Sequence, residues 1–218
     1  MRMTRFLSAF LGVLLLTSLA HGDGDRPQPA KISPAGEKLA AMLDHMGVDH
    51  LWLAGQHINW ETGVSTDKPT QGSSKSTHCS AFAAAVAYRL EIYLLRPPEH
   101  SQTLLSNAQY EWLENAGKEK GWRRVHSPVE AQSLANEGQL VVATFRSPDP
   151  KKPGHIAVVR PSDKSVQEIE TAGPQVIQAG QHNHVSTTVE QGFKSHPDAW
   201  NAEHHEVRFY AHVVEKSE

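Results

Sequence analysis

Gly138-Gln139-Leu140-Val141-Val142-Ala143-Thr144-Phe145 and, after a short polar loop, Pro153-Gly154-His155-Ile156-Ala157-Val158-Val159 decide how this chain folds. Both are brief β-branched runs bounded by glycine or proline, the signature of two paired strands. Past Gly138 the same period continues, so residues 166–170, 175–179 and 207–214 read as further strands, with one helical turn over 187–194. Ahead of Gly138 the period is helical. Leu39, Met42, Leu43 and Met46 mark a helix over 34–46 that Gly47 ends. Phe82, Val86, Leu90 and Tyr93 mark another over 79–95, stopped by Pro97-Pro98. A third is expected over 101–116, with Leu104, Leu105, Ala108, Trp112 and Leu113 inward and Gly117 as its stop. Ser127-Pro128-Val129-Glu130 opens a fourth, which ends at Gly138. Helices first and strands later define an α+β domain with an antiparallel sheet.

Composition narrows what such a domain does. The 218 residues hold 14 histidines, a single cysteine and a formal net charge of −3, with no cluster of Lys and Arg. Nucleic acid and anionic membrane surfaces are therefore poor partners. Arg2 and Arg5 precede an apolar stretch over 6–16 and the small residues Ser18 and Ala20, which reads as a signal peptide over 1–22. Residues 23–33, with Pro27 and Pro29, read as a flexible lead-in, and 34–218 as one domain. The expected compartment is secreted or periplasmic. There, one thiol without a disulfide partner is best explained by chemistry.

That thiol is Cys79, in Ser76-Thr77-His78-Cys79-Ser80-Ala81-Phe82-Ala83-Ala84-Ala85-Val86. A polar loop turns there into an alanine-rich helix, so the sulfur meets the unpaired N–H groups and positive dipole of a helix start. Such a site, with an imidazole beside it, lowers a thiol from about 8.5 to roughly 3.5–7.5. His155, entering an apolar strand, is the candidate general base, and Cys79 is expected to be partly accessible. A buried structural cysteine with an unrelated histidine is the plain alternative. The long polar loop over 61–76 is a candidate substrate wall.

A cysteine at a helix start, further helices, then "GQLVVATF…GHIAVV" resembles the NlpC-type and CHAP-type papain-like cell-wall cysteine hydrolases over roughly residues 72–180. The resemblance implies a papain-like fold in which Cys79 faces His155 across a cleft, with the Cys79 N–H as an oxyanion donor. It further implies cleavage of amide bonds in peptidoglycan stem peptides, by an endopeptidase or an amidase. The chain departs from the family in carrying His78, where an acidic or small residue usually precedes the cysteine. The family also places a third polar residue on the strand after the histidine. Strand alternation nominates Gln178, its amide oxygen accepting the Nδ1–H of His155, with Asn183 and Glu170 as alternatives. His78, Ser80 and Trp60 are candidate substrate contacts, and no cofactor is called for. His182, His184, His204 and His205 could join His155 around zinc, but no zinc-ligand spacing accompanies them. Two other functions fit the same scaffold: a catalytically idle cell-wall or protein-binding domain, and an acyltransferase that passes the thioester to an amine.

Overall fold

The computed structural model describes residues 28–66, 76–201, 203 and 205–215. The signal-peptide reading and residues 23–27 of the lead-in lie outside the described residues. The protein is α+β: among the described residues it has six α-helices and one six-stranded, wholly antiparallel sheet in the order β1-β6-β2-β3-β4-β5. The strands are β1 (Arg123–Val125), β2 (Leu140–Phe145), β3 (His155–Val159), β4 (Gln175–Gln178), β5 (His184–Thr188) and β6 (Arg208–His212). The helices are α1 (Pro34–Asp44), α2 (Cys79–Arg89), α3 (Leu105–Asn115), α4 (Pro128–Asn136), α5 (Val166–Ala172) and α6 (Val189–Gly192).

Both faces of the sheet are covered, which is why β2 and β3 read as continuous apolar runs. Val142, Ile156, Val158 and Ile177 meet Phe82 and Val86 of α2 and Leu39 and Leu43 of α1. Val141, Ala143, Ala157, Val159 and Val176 meet Ala131 and Ala135 of α4, together with Phe193. Four alanines of α2 (Ala83, Ala84, Ala85 and Ala87) are fully buried, and their small side chains let the helix axis come close to the sheet.

The structure differs from the sequence expectation at several ends, each for a local reason. Helix α2 stops at Arg89 because Glu91 takes the left-handed conformation at φ 59° and the Ile92 N–H returns to the Ala87 carbonyl at 2.9 Å. Helix α3 starts only at Leu105, since Leu104 is also left-handed at φ 52° and cannot propagate a helix. Residues 166–170, expected as a strand, form α5. Ser165 and Glu168 build a reciprocal capping box there, and Val166 and Ile169 are buried one helical turn apart. The two unexpected strands, β1 and β5, are the sheet's edges. The first has three residues and the second is half exposed, so neither carries much apolar pattern.

Within the described residues the lead-in is tied down from Ala30. Its N–H donates to Ser133 Oγ at 3.0 Å, and its carbonyl accepts from Asn136 Nδ2 at 2.6 Å. Asn136 also donates to the Ser162 carbonyl at 2.9 Å and accepts from the Ser162 N–H at 2.9 Å. One buried amide thus joins α4, the residues before α1 and the loop after β3. Among the described residues no helix is long and apolar enough to cross a membrane. Replacing Asn136 by Ala strips partners from several buried polar groups and should destabilise the domain by on the order of 3 kcal/mol. The check is a lower urea midpoint at unchanged m-value.

Candidate active site

The start of β3 is set by α3. Asn107 Oδ1 accepts the Gly154 N–H at 2.8 Å, Ser106 Oγ donates to the Gly154 carbonyl at 3.2 Å, and Asn107 Nδ2 donates to the Lys152 carbonyl at 2.9 Å. A Cβ on Gly154 would lie 2.1 Å from the Phe145 carbonyl oxygen, so only glycine lets the chain pass between β2 and α3 here. His155 follows immediately, paired with Phe145 across the ladder and buried.

The thiol arrives from the other layer. Cys79 is the first residue of α2 and only 3% exposed. The N–H groups of Ile156, Ser80 and Cys79 itself and the Thr77 hydroxyl lie close enough to its sulfur to favour the thiolate. The Ile156 N–H belongs to the peptide that joins Ile156 to His155, so sulfur and histidine share one end of β3. The ring itself leaves that strand on the α4 and α6 side. It sits edge-on to Phe193 at 4.7 Å between ring centroids and stacks on His196 at 6.0 Å, whereas Cys79 packs with Phe82 and Ile156 on the α2 side. The thiol and the ring thus leave the strand on different sides, and the expected meeting face to face across a cleft is not found.

Gln178 occupies the expected place. It lies on β4, is buried, and its Oε1 accepts the Nε2–H of His155. The sequence reading had assigned this bond to Nδ1. With Nε2 protonated and held by Gln178, Nδ1 is the nitrogen free to act as a base. Asn183 instead joins loops, donating to the Val48 and Leu51 carbonyls at 2.7 and 2.8 Å and accepting the Gly180 N–H at 3.0 Å. Glu170 is exposed on α5.

The other candidates divide. Ser80 is buried beside Cys79, its carbonyl held by Gln109 Nε2 at 3.0 Å. His78, also buried, uses its ring to donate to the Gln56 carbonyl at 2.9 Å, which ties the preceding loop to the helix start. Trp60 is not brought to Cys79. Its ring packs edge-on to Tyr88 at 5.7 Å, in the last turn of α2, about 14 Å along the helix from the thiol. Of the expected substrate-wall loop, residues 67–75 lie outside the described residues. Among the described residues, no three His, Cys, Asp or Glu side chains gather as a metal site would require.

Sequence reasoning missed Ser106, Asn107 and Gln109, the buried or half-buried polar face of α3, and His196. The α3 residues left a faint signal, since three polar side chains in six residues adjoin the apolar stripe. His196 left none, because its place beside His155 depends wholly on the chain path after α6.

Electrostatically the site is buried and neutral. Burial pushes the Cys79 thiol up, and the four donors around it only partly offset that. Burial likewise pulls His155 down to about 4, against the Gln178 hydrogen bond that favours its charged form. His196 falls to about 4 as well, through burial and then the neighbouring His155. No known protein-family model matches the chain, and comparison with curated proteins returns no match.

Two outcomes follow. Because the folded chain refuses a proton on His155 until about pH 4, whereas the unfolded chain accepts it near 6.5, the unfolded state binds more protons in that window. Stability should be fully present above about pH 6.5 and fall by on the order of 3 kcal/mol from His155 alone as pH drops to about 4. Urea titrations across that range test it, and His155→Phe should flatten the slope. Separately, Gln178→Ala should lower turnover of any substrate far more than it raises KM. Asn183→Ala should instead lower the melting temperature while the folded fraction keeps its turnover.

Proposed function

We propose that the protein is a secreted or periplasmic papain-like cysteine hydrolase that cleaves amide bonds in peptidoglycan stem peptides. The observation that carries this reading is the convergence at one end of β3. A helix-start thiol takes the N–H of the peptide next to His155, while Gln178 holds that histidine's Nε2–H and leaves Nδ1 open. In the proposed reaction Cys79 Sγ attacks the amide carbonyl and its proton passes to His155 Nδ1. The oxyanion draws on N–H groups at the start of α2. The imidazolium then protonates the departing amine, a thioester remains on Cys79, and water activated by Nδ1 releases the acid and restores the thiol. Gln178 is a positioning residue that fixes the tautomer throughout.

Thiol and imidazole are both neutral at pH 7, so the proton moves in step with the attack rather than beforehand. One observation favours a second reading, the idle binding domain, and it is the 3% exposure of Cys79. The experiment separates the two. Purified peptidoglycan incubated with the protein, then analysed by mass spectrometry, should show cleaved stem peptides. Cys79→Ala and His155→Ala should each abolish them, with a drop of at least a thousandfold in rate. Slow alkylation of Cys79 that appears only on unfolding, together with unchanged peptidoglycan, would assign the binding role. A new amide with an added amine acceptor, in place of the free acid, would assign acyl transfer.

A further inference from the structure

At the end of α2 remote from Cys79, the chain forms a depression of about 490 Å³ walled by Tyr88, Arg89, Glu91, Tyr93 and Arg96. The Arg96 guanidinium is centred 4.9 Å from the Tyr88 ring, 5.0 Å from Tyr93 and 5.8 Å from Trp60. Trp60 itself leans edge-on against Tyr88 at 5.7 Å, so the rings brace one another. Aromatic neighbours engage the faces of a guanidinium and hold it still, while its five N–H donors lie in the plane at the edge. Among the described residues neither Arg96 nor Arg89 has a carboxylate within ion-pair distance, whereas Arg123, Arg124, Arg146, Arg160 and Arg208 each have one. Two guanidiniums with no carboxylate partner among the described residues, one of them fixed by aromatic rings, thus line one depression.

We propose that this depression is a second binding site, taking a ligand carboxylate on the edge of Arg96 while Tyr88 packs against the ligand body. Tyr88 is 43% exposed, which leaves the ring surface such a contact needs. A planar, preorganised fork matches a carboxylate in two parallel hydrogen bonds, and little side-chain freedom is lost on binding. Glu91 stands on the same wall and opposes an anion, and Glu99 faces Tyr93, so the site discriminates by fit to the fork rather than by bulk charge. The ligand carboxylate has two sources in the proposed substrate, a sugar acid or a peptide end. The identity of the ligand, and with it the choice of probes, rests on that cell-wall reading.

The test is calorimetric titration of the Cys79→Ala protein, which cannot turn ligand over. The probes are N-acetylmuramic acid and N-acetyl-D-alanyl-D-alanine, with N-acetylglucosamine and the amidated dipeptide as their neutral counterparts. At least one carboxylate probe should bind, its neutral counterpart at least tenfold more weakly, and the probe that binds names the source. Arg96→Gln should weaken binding tenfold or more, Arg96→Lys nearly as much because a point charge lacks the fork, and Glu91→Gln should tighten it. Arg89→Gln, on an exposed side chain, gives the same reading if Arg96 variants fail to fold. No binding by either carboxylate, equal binding of the neutral probes, or Arg96→Gln binding like its parent at an unchanged melting temperature overturns the proposal. Failure of the hydrolase reading would appear separately, as intact peptidoglycan with the Cys79 protein while the titrations still respond to Arg96.

Discussion

Gly154 is the residue on which the site depends. Its missing side chain lets the backbone pass within contact of the Phe145 carbonyl and under Asn107, and both its polar groups are taken by α3. That clamp fixes the first residue of β3, and the first residue of β3 is His155. Everything downstream follows from the register: Ile156 faces α2, its N–H reaches the Cys79 sulfur, and His155 turns to β4, where Gln178 waits. A shift of one residue would exchange the two faces and leave an isoleucine beside Gln178. The short ladder between β3 and β4, only two paired positions, leaves the end of β3 unpaired on that side and open to the sulfur.

The second constraint is the close seating of α2. Ordinary side chains along its inner face would hold the helix farther from the sheet; the buried alanines allow the approach that puts a helix-start thiol against a strand N–H. Gln109 of α3 supports the arrangement from outside, holding both the Ser80 and Leu95 carbonyls, the latter at 2.9 Å. The nucleophile candidate is therefore held chiefly by three elements, α2, α3 and β3, with Thr77 of the preceding loop beside it.

Much of this was legible in the sequence, and what was not has physical causes. The α+β class, β2, β3 and β4, and the placing of Gln178 opposite Ile177 come from apolar period alone, which is strong wherever both faces of a strand are buried. The edge strands β1 and β5 were invisible because a half-exposed strand carries few apolar residues. Residues 166–170 misread as a strand because the segment is too short for two periods to be told apart, although Ser165 and Glu168 already spelled the capping box that decides it. Cys79, His155 and Gln178 could be nominated as a set, but not the face each would choose, nor the nitrogen that Gln178 takes. Trp60 was assigned by chemistry rather than position, and the packing of its loop carries it to the other end of α2.

The neutrality of the pair bears on how such a site would have to work. A helix start and three N–H donors favour thiolate, yet complete burial outweighs them, because desolvating a charge costs more than a few partly shared hydrogen bonds return. The same burial keeps His155 unprotonated at neutral pH. A resting thiolate and imidazolium would be two buried charges, with only an amide oxygen, a hydroxyl and backbone donors to satisfy them. The neutral pair avoids that cost and is chemically inert until a carbonyl carbon is presented. In the proposed reaction, attack would create charge on the substrate oxygen, next to the α2 start, as charge appears on the imidazole, whose Nε2–H already points at Gln178. The donors that fail to ionise the thiol alone would in that reaction act on the charge that forms during attack, which is where preorganised dipoles in a buried site lower a barrier most.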